Sequence, residues 1–244
     1  MNATLFRRGL EIFRIEGPRG ISSRIKKHIV KCYSSAHLLV FVADSSAIKS
    51  AAAQSKGLFK LSLRFTSSLD FKEIFFHDEA EIDELTEIDP WKFPKALTVK
   101  QLSQGCMCFV AKRENKIVAC ICAWPTQSYY DDFLKNEYLL GYSEAYFWRA
   151  FCIPSFRGIG ILPQIMLYAV ETVESKYNKT TQISWVRVTN KAMQQTLTRM
   201  GWKAAGRGGF VELFGLRLNY LWGREAFKET KRRFFFQINK ELFQ

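Results

Sequence analysis

No run of apolar residues is long enough to cross a bilayer. A spanning helix needs roughly 18 uncharged apolar residues, whereas the best stretches, Ile117–Pro125 and Ile161–Val170, are about half as long. The early arginines Arg7 and Arg8 are not followed by an apolar core and a small-residue cleavage site, so a secretory signal is not expected and the cytoplasm is the expected location. Histidine is scarce, with only His28, His37 and His77 in 244 residues. Six cysteines are present, but no four-ligand spacing accompanies them, and no metal is expected. Cys106 and Cys108 lie just ahead of Cys120 and Cys122. A hairpin turning at Glu114-Asn115 pairs Cys108 with Ile121 and Cys120 with Phe109, which sets the two pairs on opposite sheet faces unless a bulge intervenes. The Walker loop and the three-glycine dinucleotide fingerprint are both missing.

What is present is an apolar and aromatic chain, 48% hydrophobic and 15% aromatic, with enough side chain for one core and an appendage. The net charge of +13 is concentrated at the ends. Residues 1–35 hold eight Lys or Arg against Glu11 and Glu16, and residues 217–244 hold seven against Glu225, Glu229 and Glu241. Such basic stretches, interleaved with Ile and Phe, suit peripheral contact with an anionic membrane at its inner face, or packing on the domain or in a homodimer. No nucleic-acid reading motif accompanies them, so nucleic acid is not an expected partner. In contrast, Asp70 to Asp89 holds nine acidic residues and only Lys72. That segment suits either attraction of a cationic amine or the solvated face of an amphipathic helix.

Along the chain, residues 1–56 read as a basic amphipathic extension and linker: two short helices broken at Gly17-Pro18, a strand over His37–Ala43, and a Ser/Ala-rich linker from Asp44 to Lys56. Residues 57–224 read as the main domain. Alternation over Leu58–Phe65 predicts a strand, Glu79–Ile88 and Pro94–Gln104 predict helices, and Cys106–Ala111 with Lys116–Trp124 predict the hairpin. Tyr129–Gly141 reads as an aromatic and acidic excursion that shapes a pocket. Glu144–Ile153 is apolar on both faces except for Arg149, as in a central strand. Helix-spaced Ile161, Ile165, Ala169 and Val173 follow, then a strand over Gln182–Val188, a helix over Asn190–Met200, and strands near Phe210–Phe214 and Leu216–Leu221. Residues 225–244 read as a basic, aromatic C-terminal helix.

The most informative segment is Pro154-Ser-Phe-Arg157-Gly158-Ile159-Gly160-Ile161-Leu162, between a strand and a helix start. Two glycines let the backbone turn tightly, and the following helix offers unpaired N–H groups and the positive end of its dipole to an anion. The segment resembles the coenzyme A loop of the GNAT superfamily, Arg/Gln-x-x-Gly-x-Gly/Ala after a strand. Leu162 and Pro163 depart from the small residue usual at its end. A second resemblance is Asn190 followed eleven residues later by Gly201-Trp202, where GNAT proteins show Asn, a helix and Gly-Phe. Together these cover residues 57–224.

The resemblance implies an α+β fold, a central mixed, mostly antiparallel twisted sheet flanked by helices. It implies acetyl-CoA or another acyl-CoA as co-substrate and a small-molecule amine or aminosugar as acceptor. The main chain at Cys152 and Ile153 would pair with the pantetheine arm, the amides of Gly158, Ile159, Gly160, Ile161 and Leu162 would hold the pyrophosphate with Arg157 nearby, and Asn190 would lie beside the cofactor. Glu144, at the start of the central strand, stands where several GNAT enzymes place a general base. An alkylamine of pKa ~10.4 is less than about one part in a thousand neutral at pH 7, so a base has work to do. The tyrosine acid common in the family, seven residues after the Asn, is Leu197 here; Tyr168, Tyr220, Cys152 or a water are the substitutes. The expectation is an N-acetyltransferase working by direct attack. The alternatives are a catalytically silent acyl-CoA-binding module and a membrane-docked acyltransferase of cell-envelope polysaccharide synthesis.

Overall fold

The computed structural model describes residues 33–54, 69–131, 134, 136–213, 216–223 and 234–238. The chain forms two compact units. The larger comprises Leu38–Gly208 and Trp222–Arg232, and the smaller Met1–His37, Gly209–Leu221 and Arg233–Gln244.

In the larger unit the elements follow as β1 (Tyr33–Asp44, its residues from Leu38 on), α1 (Ser45–Gln54), β2 (Leu69–Ile74), α2 (Glu79–Ile88), α3 (Lys95–Ser103), β3 (Met107–Arg113) and β4 (Lys116–Trp124). After these come β5 (Ser128–Asp131), β6 (Asn136–Leu139), β7 (Glu144–Cys152), α4 (Ile161–Tyr177), β8 (Thr181–Arg187), α5 (Lys191–Arg199) and the start of β9 (Lys203–Leu213). Its main sheet has the order β1-β8-β7-β4-β3-β2, and β5 and β6 form a separate hairpin. Only the β7–β8 pair is parallel in this series; β1–β8, β7–β4, β4–β3 and β3–β2 are antiparallel. This is the mixed α+β arrangement expected. In the smaller unit, β10 (Leu216–Trp222) and β11 (Phe234–Ile238) pair antiparallel from Leu216↔Ile238 to Tyr220↔Phe234.

Sequence pattern accounts for most of these elements. α4 buries Ile161, Ile165, Met166, Ala169, Val170 and Val173, spaced at helical intervals along one face. They pack with Phe109, Ile121, Phe147 and Trp202 in a continuous core on one side of the sheet. Each such aromatic or branched side chain contributes about 1.5–3 kcal/mol on full burial. The turn between β3 and β4 places Glu114 and Asn115 at φ of 51° and 64°, the left-handed pair that a two-residue hairpin requires.

Four expectations need correction. Within the segment Asp44–Lys56, read as a linker, Ser45–Gln54 form α1, and β1 is paired with β8 from Leu38↔Arg187 to Asp44↔Thr181, so the boundary at residue 57 cuts through the sheet. Ser and Ala carried no visible periodicity, yet Ala is the best helix former. Residues 234–238 are a strand, not part of a C-terminal helix. β2 was not foreseen, and the Leu58–Phe65 strand lies outside the described residues. The cysteine parity is also different: a register shift between Ala111 and Lys112 pairs Cys108 with Cys122 and Val110 with Cys120, which sets Cys108, Cys120 and Cys122 on one face. They are free buried thiols, and no metal-binding group of three or more ligands occurs among the described residues.

Candidate active site

β7 and β8 are paired only from Glu144↔Thr181 to Phe147↔Ser184, although β7 continues to Cys152 and β8 to Arg187. Beyond Phe147 the two strands part. On its other edge β7 stays paired with β4 as far as Cys152↔Ala119, with a register shift at Cys120/Cys122. Opposite that shift Arg149 has a φ of 50°, a left-handed conformation that non-glycine residues rarely adopt. The result is a bulge in the central strand where its neighbour departs, and bulges bend the strand that carries them.

The gap exposes one backbone edge of β7. Ile153 donates its N–H to Val118 O (3.0 Å) and accepts from Phe156 N at its carbonyl (3.0 Å), so its backbone is already paired within the fold. Strand alternation then turns the backbone of Cys152 the other way, toward the space β8 has left. The Cys152 carbonyl accepts from Arg157 Nε at 3.0 Å, which ties the loop to the strand end. The Cys152 thiol donates to Phe156 O (3.3 Å), and burial raises its pKa.

The loop follows directly. Pro154–Phe156 make a 3-10 turn, with the Arg157 amide on Pro154 O at 3.2 Å. The next amide with an acceptor is Gln164, on Gly160 O at 3.4 Å. Between them, the N–H groups of Gly158, Ile159, Gly160, Ile161 and Leu162 have no acceptor among the described residues, and Pro163 carries none. Gly158 and Gly160 have φ of 79° and 84°, which lets the chain curl before α4 starts. A side chain at Gly158 would meet nothing within 4 Å, so the concave face is open. Five consecutive donors stand at the head of a 17-residue helix, the arrangement of unpaired N–H groups and positive dipole end that suits an anion.

The remaining expected residues are placed less simply. Asn190 caps α5, its side chain accepting from Met193 N at 3.2 Å. Glu144 lies in the paired part of β7 and is buried; its Oε2 accepts from Gly141 N at 2.8 Å, closing the turn into the strand. Lys179 is buried near it, donating to Tyr142 O at 2.6 Å, and burial lowers its pKa against the opposing pull of Glu144. The carboxylate expected as a base is thus occupied in a turn. Leu197 is fully buried in the core. Tyr168 packs between Phe71 and Phe109, and Tyr220, in the smaller unit, bonds His37 Nδ1 at 2.6 Å.

The acidic segment is spent on internal partners. Glu81 joins Lys72 (2.9 Å) and Lys112 (3.0 Å), Asp83 pairs with Lys95, and Glu84 accepts from Ile117 N. Its hydrogen bonds to those lysines hold the Glu81 carboxyl down at about 2.

On the sheet face opposite α4, a cavity of about 590 Å³ is lined by residues including Gln101, Trp124, Thr126, Tyr129, Tyr130 and Glu137. The excursion after Trp124 builds it, as anticipated. Behind it, Tyr129 stacks on Tyr146 (centroids 4.1 Å apart) and accepts a hydrogen bond from Trp185 Nε1 at 2.9 Å. Trp185 is the first β8 residue past the split, so this bond links cavity and gap. Burial pushes the Tyr129 and Tyr146 phenols well above their usual range, so both stay protonated. Sequence reasoning missed Tyr129, Trp185 and Gln101; isolated aromatics and amides carry no spacing that marks them.

A family model described as the acetyltransferase (GNAT) family matches residues 70–202, more than half of the chain. The chain belongs to the GNAT family. No curated protein matches it in sequence. Among solved structures similar to this GNAT chain are three at low identity. A functionally unknown conserved protein from Staphylococcus epidermidis is 12% identical with a TM-score of 0.48, over 78% of this chain and 66% of that one. A GCN5-related glucosamine N-acetyltransferase region in a fungal multi-domain GH3 β-N-acetylglucosaminidase is 16% identical with a TM-score of 0.48, over 80% and 23%. AAC(6′)-Iy, in complex with the bisubstrate analogue CoA-S-monomethyl-acetylneamine, is 15% identical with a TM-score of 0.42, over 55% and 89%. This GNAT chain therefore spans less than two thirds of the length of the first two.

Proposed function

We propose that the chain is an acyl-CoA-dependent N-acyltransferase, most simply an N-acetyltransferase, acting on a small-molecule amine. The observation that carries this reading is the row of five unengaged amides from Gly158 to Leu162 at the head of α4, placed where β7 and β8 part. The amides suit the diphosphate of coenzyme A, and the backbone of Cys152 suits the amide groups of the pantetheine arm. The thioester supplies an activated carbonyl carbon. The acceptor amine, held in the cavity beside Tyr129, attacks that carbon as the neutral base; the C–N bond forms, the C–S bond breaks, and the departing thiolate takes up a proton. The chain's own contribution is orientation and a dry, dipole-rich surrounding.

One observation favours a second reading, a catalytically silent acyl-CoA-binding module. Leu197 fills the position of the common family acid and is sealed in the core. Thiol release from acetyl-CoA, measured with the full chain and a panel of amino acids, aminosugars and polyamines, separates the two. Turnover supports the enzyme; coenzyme A binding with no turnover on any amine supports the silent module.

A further inference from the structure

Arg149 is the one charged residue of β7 besides Glu144 at its start, and its environment is unusual on three counts. Its backbone is left-handed at the bulge, a conformation that is costly for a non-glycine residue and that persists only when surrounding structure enforces it. Its guanidinium is half-buried, stacked over Trp148 (4.1 Å) and Phe93 (5.6 Å). Its one hydrogen bond is from Nη1 to Gln101 Oε1 at 2.7 Å, and among the described residues no carboxylate lies within ion-pair distance. A cation partly withdrawn from water without a counter-ion is costly, and a ligand carrying the missing charge would offset that cost. The surrounding positions agree. Gln101, which holds Arg149, also lines the acceptor cavity. Trp124 lines the same cavity, is buried, and its indole N–H has no acceptor. Thr98, one turn before Gln101 on α3, buries a hydroxyl with no partner. Lys100 places a cation and Glu137 a single carboxylate in the cavity wall itself, to which Arg149 is joined through Gln101.

Cations and an unsatisfied donor together with a single carboxylate suit a zwitterion. Resting on the acyl-transfer reading above, we propose that the acceptor is a primary amine bearing a carboxylate, and that Arg149 is the residue that reads the carboxylate. The planar guanidinium matches the two oxygens of a carboxylate, and Glu137 stands to receive the ammonium before it loses its proton. A phosphate would also pair with Arg149, but it would bring a second negative charge to a cavity that already holds the Glu137 carboxylate.

The experiment pairs each proteinogenic α-amino acid with its carboxamide, adds an aminoalkyl phosphate, and follows thiol release from acetyl-CoA with wild type, Arg149→Gln and Arg149→Lys. For the preferred amino acid, KM is expected to be lower than for its carboxamide by about ten- to hundredfold, the value of a hydrogen bond to a charged group. Arg149→Gln is expected to erase that preference and Arg149→Lys to restore part of it. Equal KM values for acid and amide in the wild type, a preference that survives in Arg149→Gln, or better use of the phosphate would each overturn the proposal. Should no amine turn over, the acyl-transfer reading fails, and calorimetry with the same compounds on the coenzyme A-loaded chain then judges Arg149 by itself: binding of acids over amides that is lost in Arg149→Gln upholds it, and absence of such binding overturns it.

Discussion

Phe147 and Ser184 are the last residues at which the two parallel strands face each other, and the next residue of β8, Trp185, reaches across to the hydroxyl of Tyr129. The indole N–H thus ties the split to the cavity beside Tyr129. Trp185→Phe keeps the ring and removes that donor, at a cost of about 1 kcal/mol in the hydrogen bond. The acceptor KM is expected to rise severalfold while the affinity for coenzyme A is unchanged; steady-state kinetics with varied acceptor, beside calorimetry of coenzyme A, checks both.

Asn190 was expected beside the cofactor because the family places one there, and in the structure its side chain caps α5. Asn190→Ala is expected to lower stability by about 1 kcal/mol, and Asn190→Asp to preserve it, as for helix caps generally. Denaturant titration measures this. An unaltered coenzyme A affinity in Asn190→Ala assigns the residue to the helix, and a tenfold weaker one assigns it to the cofactor.

Glu144 bonds the Gly141 amide beside buried Lys179. Glu144→Gln is expected to cost about 1–2 kcal/mol of stability, as for a charge-assisted bond to a buried group, while the shape of the pH–rate profile stays the same. Loss of the rise in kcat/KM with pH in this variant would show that the carboxylate is a base after all.

Glu81 links α2 to β2 and β3 through Lys72 and Lys112. Its folded pKa of about 2 lies below the ordinary 4.5, so the stability it contributes is full above about pH 4.5 and is lost as pH falls toward 2. Since Lys72 is partly exposed, the contribution is on the order of 1–2 kcal/mol. Glu81→Gln is expected to be less stable at pH 7 and to converge with wild type near pH 2, as chemical denaturation across that range will show.

The loop and its helix were legible because glycine spacing and apolar periodicity are local: Gly158, Gly160 and the Ile161–Val173 stripe dictate their own backbone. The same holds for the Glu114-Asn115 turn. The cysteine parity was not legible, since the spacing of the cysteines does not reveal the register shift at Ala111/Lys112. Nor was the use of Glu144, whose partner Gly141 is three residues away but whose buried charged neighbour Lys179 comes thirty-five residues later. Arg149 stood out in the sequence as the one charged residue in the middle of a central strand; its lack of a counter-ion appears only when the helix carrying Gln101 is packed against it. Residues 1–32, which hold most of the N-terminal charge, lie outside the described residues.

On the proposed reading the loop from Gly158 to Leu162 holds the diphosphate of coenzyme A, so the most direct measurement is calorimetric titration of the full chain with coenzyme A and, separately, with pantetheine, which lacks the diphosphate. Saturable binding of coenzyme A, about tenfold or more tighter than that of pantetheine and lost in Gly160→Val, is the expected result. No saturable heat with coenzyme A, or equal affinity for both compounds, would contradict the account.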